Sequence, residues 1–206
     1  MSLTKTLRVC LIAIVLISIG AWTYARYQNN IHDIVQRAKA FGPLKVHHVA
    51  DGDSIVVVPR FGSKKPEVRL LGLNTKELEH KGLRITAECW GSEAFEYVKK
   101  IVEGKIVGLE FDPLKNVTDG HDRLLAYVHV YDGYRSFFFG RGLDLNKHLI
   151  ESGYAEEWLY QGPYTRANEF LEAETLARRS NVGGWAACPD FKKHPREPVS
   201  RKKPLR

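Results

Sequence analysis

The residues best suited to chemistry fall in one stretch, Val49 to Glu77, which reads VADGDSIVVVPRFGSKKPEVRLLGLNTKE. Asp51 and Asp53 flank a glycine at a tight turn, Arg69 interrupts an apolar run, and Glu77 follows that run on the next loop. Carboxylates can accept a proton or hold a hard cation, and a guanidinium can fork onto an anion. Alone, Asp-Gly-Asp describes a solvated hairpin turn, and a single strand arginine describes a surface. The combination makes a poor core and a good site, provided that the flanking strands pair. A further cation waits downstream in Thr118-Asp119-Gly120-His121-Asp122-Arg123-Leu124-Leu125-Ala126-Tyr127, where Arg123 stands at a loop–strand junction.

The elements that must position these groups are legible. Ser54–Val58 is short and β-branched, Glu67–Leu73 is a second apolar run, and Pro59–Pro66 carries Gly62 between two prolines, as a loop does. Alternation along the strand points Arg69 away from Val68 and Leu70. Leu44–Ala50 is the strand leading into the Asp-Gly-Asp turn. In Ala87–Glu103 the positions Trp90, Ala94, Val98, Ile101 and Val102 follow a helical period, and Gly104 is placed to stop the helix. Lys105–Phe111 and Leu124–Tyr131 are two more strands. Tyr134–Gly142, with three consecutive phenylalanines, reads as a strand extension or an inserted hairpin. Leu143–Ser152 is a helix, Tyr154–Tyr160 is extended, and Thr165–Ser180 is a third helix with Thr165 as its N-cap. Five strands with a helix between the third and fourth fit an α+β, mainly β fold: a five-stranded OB-type Greek-key barrel with about three helices.

Charge and hydropathy divide the rest of the chain. From Lys192 to Arg206 there are seven Lys or Arg and one Glu, whereas the preceding 191 residues carry 24 basic and 23 acidic groups. The overall charge of +7 is therefore mostly the property of a tail. Residues 9–25, VCLIAIVLISIGAWTYA, contain no charge, with Lys5 and Arg8 before them and Arg26 after. Seventeen residues are short for a spanning helix but sufficient. They read as an uncleaved membrane anchor, with a cleaved signal peptide as the alternative. Tyr27–Phe41 has Ile31, Ile34, Val35 and Ala38 at helical spacing, ended by Gly42-Pro43. The expected division is 1–26 anchor or signal, 27–43 helical linker, 44–188 folded domain and 189–206 disordered basic tail.

Taken in order, the motifs resemble a known family. Asp51-Gly52-Asp53-Ser54 is followed by Arg69-Leu70-Leu71-Gly72-Leu73-Asn74-Thr75-Lys76-Glu77, then by Trp90-Gly91-Ser92-Glu93-Ala94. Asp122-Arg123-Leu124-Leu125-Ala126-Tyr127-Val128, Gly153-Tyr154-Ala155 and Gly184-Trp185 complete the set. Each piece is weak alone; six in order, from about Leu44 to Trp185, make the chain resemble a staphylococcal-nuclease-type thermonuclease. The resemblance implies a calcium-dependent phosphodiesterase, an endonuclease acting on DNA, RNA or both. By position it implies Arg69 and Arg123 as phosphate clamps, Glu77 as general base, and Asp53, Asn74 and the Thr75 carbonyl as ligands of Ca2+. The chemistry needs these types: guanidiniums strengthen their forked bonds as charge grows on phosphoryl oxygens, where lysine would supply charge without the fork. Three departures stand out. Asn74 replaces a usual Asp and weakens the metal site; Lys76 replaces a usual Pro and loosens the loop carrying Glu77; Gly120-His121 stands for a Lys-Tyr pair.

Trp158, Tyr160 and Tyr164 offer faces for a nucleotide base, or else pack on the barrel rim. Cys10 lies in the apolar segment, so the domain holds one pair, Cys89 and Cys188; in a translocated domain an even pair predicts a disulfide, against two free thiols in a cytosolic one. The partners expected are nucleic acid and, through the N-terminal segment, a membrane, for a monomer with an extracytoplasmic nuclease domain, or a secreted one if the segment is cleaved. The competing readings are a catalytically weak nucleic-acid-binding relative and a tethered interaction module.

Overall fold

The computed structural model describes residues 17–18, 20, 40–59, 65–78, 87–159 and 162–191. The chain divides into two compact units, 1–38 and 39–206. In the second, β1 (Ala40–Asp51) turns through Gly52-Asp53 into β2 (Ser54–Pro59), which pairs antiparallel with β3 (Glu67–Leu70). On its other edge β1 pairs with β5 (Ile106–Glu110), and β5 with β6 (Leu124–Tyr131). A parallel pairing of β3 with β6, Arg69 opposite Leu125, joins the two ends of this sheet and closes a barrel of five strands. Register shifts between Val46 and His48 and between Val49 and Asp51 let β1 coil sharply enough for closure. Two short strands, β4 (Leu73–Asn74) and β8 (Glu156–Glu157), pair outside the barrel, and β7 (Leu143–Asp144) extends β6.

The barrel is filled by the side chains that alternation sends inward, among them Ile55, Val57, Val68, Leu70, Val107, Leu109, Ala126 and Val128, all but sealed from solvent. Five helices pack around it in the described part of this unit: α1 (Gly91–Val102), α2 (Tyr134–Phe139), α3 (Leu145–Glu151), α4 (Ala167–Arg179) and α5 (Gly184–Ala187). α1 turns Ala94, Val98 and Val102 toward β1. Leu145, Leu149 and Ile150 of α3 and Phe170, Ala173 and Ala177 of α4 build a second apolar layer. Asn146, fully buried, fastens α3 to the barrel: its Nδ2 donates to the carbonyls of Leu71 (2.8 Å) and Ala126 (3.3 Å), and its Oδ1 accepts from the Val128 N–H (2.8 Å). Every polar atom of that side chain is satisfied, which is what permits an amide at so dry a position.

Several expectations need correction. The third strand stops at Leu70, because Gly72 takes φ +83° and turns the chain; a Cβ there would lie 2.7 Å from the Tyr164 ring. Tyr134–Phe139 is a helix, neither strand extension nor hairpin. Leu143 and Asp144 belong to a strand, and α3 starts only where the Asp144 side chain caps it by accepting from the Lys147 N–H. Thr165 is not an N-cap. Its hydroxyl and N–H both donate to Asp112 Oδ2, which also accepts from the buried Tyr127 phenol, so Thr165 is engaged in tying α4 to the end of β5. Five helices replace the expected three. β1 begins at Ala40, inside the span read as linker, and Phe191, inside the span read as tail, is buried against the Trp185 ring. The remainder of the linker and tail lies outside the described residues. So does the apolar N-terminal segment except for Ile17, Ser18 and Gly20, which are helical; among the described residues no helix is long and apolar enough to cross a membrane.

Candidate active site

Closure of the barrel gathers the candidate residues. Ser54 pairs with Arg69 across β2–β3, and Arg69 pairs with Leu125 across β3–β6, two residues beyond Arg123. Arg69 is 6% exposed; its Nη1 meets Asp53 Oδ2 at 2.8 Å and its Nη2 donates to Asn74 Oδ1 at 3.1 Å. The Thr75 N–H also points at Asp53 Oδ2 (3.4 Å), and Asn74 Nδ2 donates to the Thr75 carbonyl (3.0 Å). Asp53, Asn74 and Thr75 thus form one hydrogen-bonded cluster around the Arg69 guanidinium. The indole of Trp158 closes one side, its ring centre 5.8 Å from Arg69 Cζ.

Arg123 sits at the neighbouring rim. Its Nε and Nη2 both reach Asp119 Oδ2 at 2.8 Å, and its Nη1 approaches Ser54 Oγ (3.5 Å) and Glu67 (3.7 Å). Burial works against the charge on Asp119. Donation from the His121 and Arg123 N–H groups and from the Arg123 side chain outweighs it and holds this carboxyl below its usual range. Ser54 Oγ in turn donates to Asp53 Oδ1 (3.2 Å), so a continuous chain, Arg123–Ser54–Asp53–Arg69, joins the two guanidiniums.

Glu77 is held by its backbone. Its N–H donates to Glu88 Oε2 (3.3 Å) and its carbonyl accepts from the Glu88 N–H (3.0 Å). Gly91, the first residue of α1, packs so close that an added Cβ would stand 2.3 Å from that carbonyl. These bonds fix the backbone of Glu77 and leave its carboxyl without a hydrogen bond among the described residues. Burial raises the Glu77 pKa above the ordinary value, and the neighbouring charges of Asp51, Asp53 and Glu88 raise it further, against an opposing pull from Arg69.

Lys76 corrects an expectation. It does not loosen the loop: its ammonium is buried 3.2 Å from Glu156 Oε1 and 5.2 Å from the centre of the Phe191 ring, so an ion pair restrains the loop where a proline ring would have. Tyr164 is also corrected. It is core, its hydroxyl donating toward the Gly72 carbonyl and Glu157, and it offers no face to a base. Trp158 is half-buried at the site, and Tyr160 lies outside the described residues. Cys89 and Cys188 are joined in a disulfide, Cα atoms 6.0 Å apart, next to Glu88 and so to the clamp on Glu77. Asp119, Glu88 and Glu156 went unassigned in the sequence. Asp119, four residues before Arg123 in a turn, carried the one usable signal; Glu88 and Glu156 matter through tertiary contacts only.

Among the described residues no three His, Cys, Asp or Glu side chains form a metal cluster. The donors available are the Asp53 carboxylate, Asn74 Oδ1 and the Thr75 carbonyl, all hard oxygens of the kind Ca2+ takes. Burial is the first cause of the raised Glu77 pKa, and Asp51, Asp53 and Glu88 each add to it, so several carboxylates share this spot with Arg69. The donor set therefore fits the ion in type, with one carboxylate and one amide, both of which contact the Arg69 guanidinium.

The comparisons with known proteins agree with this architecture. A family profile described as staphylococcal nuclease homologue matches residues 67–187. An uncharacterized protein of Bacillus anthracis is 34% identical over 143 residues, covering 69% of this chain and 60% of that protein, so the chain spans less than two thirds of this relative's length. An uncharacterized protein of Methanocaldococcus jannaschii is 27% identical over 179 residues, covering 80% of this chain and 79% of that protein. The profile takes in β3, which carries Arg69, the Glu77 loop, α1, and β5 and β6 with Arg123 before them: on that match, the chain belongs to the staphylococcal nuclease homologue family.

Proposed function

We propose that this chain is a calcium-dependent endonuclease that hydrolyses phosphodiester bonds of DNA, RNA or both, tethered to a membrane by its N-terminal segment with the barrel on the extracytoplasmic side. The observation that carries the reading is the hydrogen-bonded chain from Arg123 through Ser54 and Asp53 to Arg69, with the Glu77 carboxyl in the same electrostatic field. Arg69 and Arg123 bind and orient the phosphate, donating to its oxygens as negative charge builds on them. Asp119 holds the Arg123 plane, as Asp53 and Asn74 hold that of Arg69. Glu77 accepts a proton from the attacking water; burial and the neighbouring carboxylates raise its pKa above the ordinary value, which makes it a stronger base than a solvated carboxylate. Calcium held by Asp53, Asn74 and the Thr75 carbonyl would supply Lewis-acid polarisation of a phosphoryl oxygen. Trp158, with Tyr160, is positioned in sequence to carry a base face.

One observation favours a second reading, a relative that binds nucleic acid with little catalysis: Asn74 brings an amide where a carboxylate would bind the ion more tightly. Incubating the full chain with plasmid and with single-stranded nucleic acid, in calcium and in chelator, separates the two. Cleavage only with calcium is expected, reduced about a hundredfold or more in Arg69→Lys, Arg123→Lys and Glu77→Ala. Binding without cleavage establishes the second reading, and wild-type rates in Glu77→Ala remove Glu77 as the base.

A further inference from the structure

α2 leaves a patch of the surface that the catalytic reading does not use. Of its three consecutive phenylalanines only Phe137 turns inward. It stands edge-on to Tyr131, ring centres 5.0 Å apart, and fills the space beside Gly42 and Gly108, where an added Cβ would come within 3.1 and 3.0 Å of it. Phe138 is 60% exposed and Phe139 87%, and Tyr134 and Leu143 are more than two fifths exposed. Large apolar side chains exposed together on one short helix and the strand that follows it mark a surface suited to a partner.

The charges around the patch say what covers it. Arg135 and Arg141 are exposed on either side of the phenylalanines. A cleft of about 540 Å³ alongside is lined by Lys100, Lys105, Tyr131, Arg141 and Leu143, with Asp132 as the one acid among the described lining residues, paired to Lys105 at 2.7 Å. Aromatic rings ringed by arginine and lysine suit the headgroup region of an anionic bilayer, where rings enter the acyl boundary and cations meet phosphate. Two placements favour a membrane over the substrate. Arg123 precedes β6 and Tyr131 ends it, so patch and candidate active site are separated by eight residues, roughly 25 Å at the strand rise. And Gly42, near the start of β1, touches Phe137, so the chain enters the barrel beside the patch.

We propose that Phe138 and Phe139, flanked by Arg135 and Arg141, form a second membrane contact that docks the barrel on an anionic lipid surface and turns its catalytic rim away from it. The inference rests on the tether in the reading above, and the experiment distinguishes the two. Full-length Phe139→Trp and the wild type are mixed with phosphatidylcholine vesicles, with and without phosphatidylglycerol, some carrying brominated acyl chains. The expected result is quenching of the introduced indole in excess of the wild-type tryptophans, stronger with phosphatidylglycerol and reduced severalfold by adding Arg135→Glu and Arg141→Glu. Retention through alkaline carbonate extraction without excess quenching overturns the docking while leaving the tether. Release by carbonate with excess quenching beforehand supports the docking and refutes the tether. A signal from the introduced indole that depends on protein concentration and not on lipid assigns the patch to a second copy of the chain, and also overturns the inference.

Discussion

Lys76 and Glu156 offer the sharpest test of how the Glu77 loop is held. Their side chains are 4% and 2% exposed, with Nζ and Oε1 3.2 Å apart. At an effective dielectric of about 20 the direct attraction at that distance is about 5 kcal/mol, against a desolvation penalty of several kcal/mol for each ion. The pair is thus close to neutral for stability as a unit. Removing one partner is another matter, because the survivor keeps its burial and loses its compensation. Lys76→Met is expected to cost about 3–5 kcal/mol, a fall in Tm of about 6–20 °C for a domain of this size. Glu156→Leu should cost a similar amount. The double variant should recover most of the loss, since two apolar side chains of comparable volume replace the pair. Urea denaturation of the four proteins closes the cycle. If the two single costs add in the double variant, or if Lys76→Met costs under about 1 kcal/mol, the pair is not coupled as described. Cleavage measured in parallel adds a second readout. Lys76 adjoins Glu77, so the folded single variants should lose rate at saturating substrate, and the double variant, which lacks the directional contact, should not fully regain it.

Three further outcomes follow from the site. Asn74→Asp should tighten calcium by about tenfold by adding one carboxylate; an unchanged midpoint in a calcium titration of cleavage removes Asn74 from the ligand set. The folded-state pKa of Glu77 is raised above its ordinary value of 4.5, so its contribution to stability is present below the unfolded value and is lost as pH rises through the folded one. Glu77→Gln should therefore be more stable than wild type at neutral pH without calcium, the gap closing below about pH 4; equal stability at both ends refutes the shift. Replacing Cys89 and Cys188 by Ser opens a loop of 99 residues and should cost about 4–5 kcal/mol on chain-entropy grounds, read by denaturation, while thiol labelling of the native wild type should stay low until a reductant is added.

The strands carrying the site were readable because alternation and β-branching are local: the expected Ser54–Val58 falls inside the observed Ser54–Pro59, and Leu124–Tyr131 lies where the sequence puts it. What sequence could not show is what a side chain meets across the fold. Thr165 has the type of an N-cap, and only the folded barrel brings Asp112 to it. Lys76 reads as a residue that loosens a loop until Glu156, eighty positions away, arrives to pair with it. Three phenylalanines in a row score as strand by propensity, and become a helix because Phe137 has a seat against Gly42 and Gly108 while its neighbours do not. Arg69 and Arg123 could be named from motif order; their common link through Ser54 and Asp53 depends on which strands pair.

The parallel ladder between β3 and β6 has a consequence for a chain still being made. Arg69 lies in β3 and Arg123 just before β6, with more than fifty residues between them, and they become neighbours only when Val68, Arg69 and Leu70 find Leu124, Leu125 and Ala126. Contacts of such sequence separation form late and slowly, because the loop must close before any pairing rewards it. A nascent chain that has not yet emerged past Ala126 holds Asp53, Arg69 and Glu77 without their partner arginine. On the proposed chemistry it has no way to cut the nucleic acid around the machinery that is synthesising it, and competence arrives with the ring.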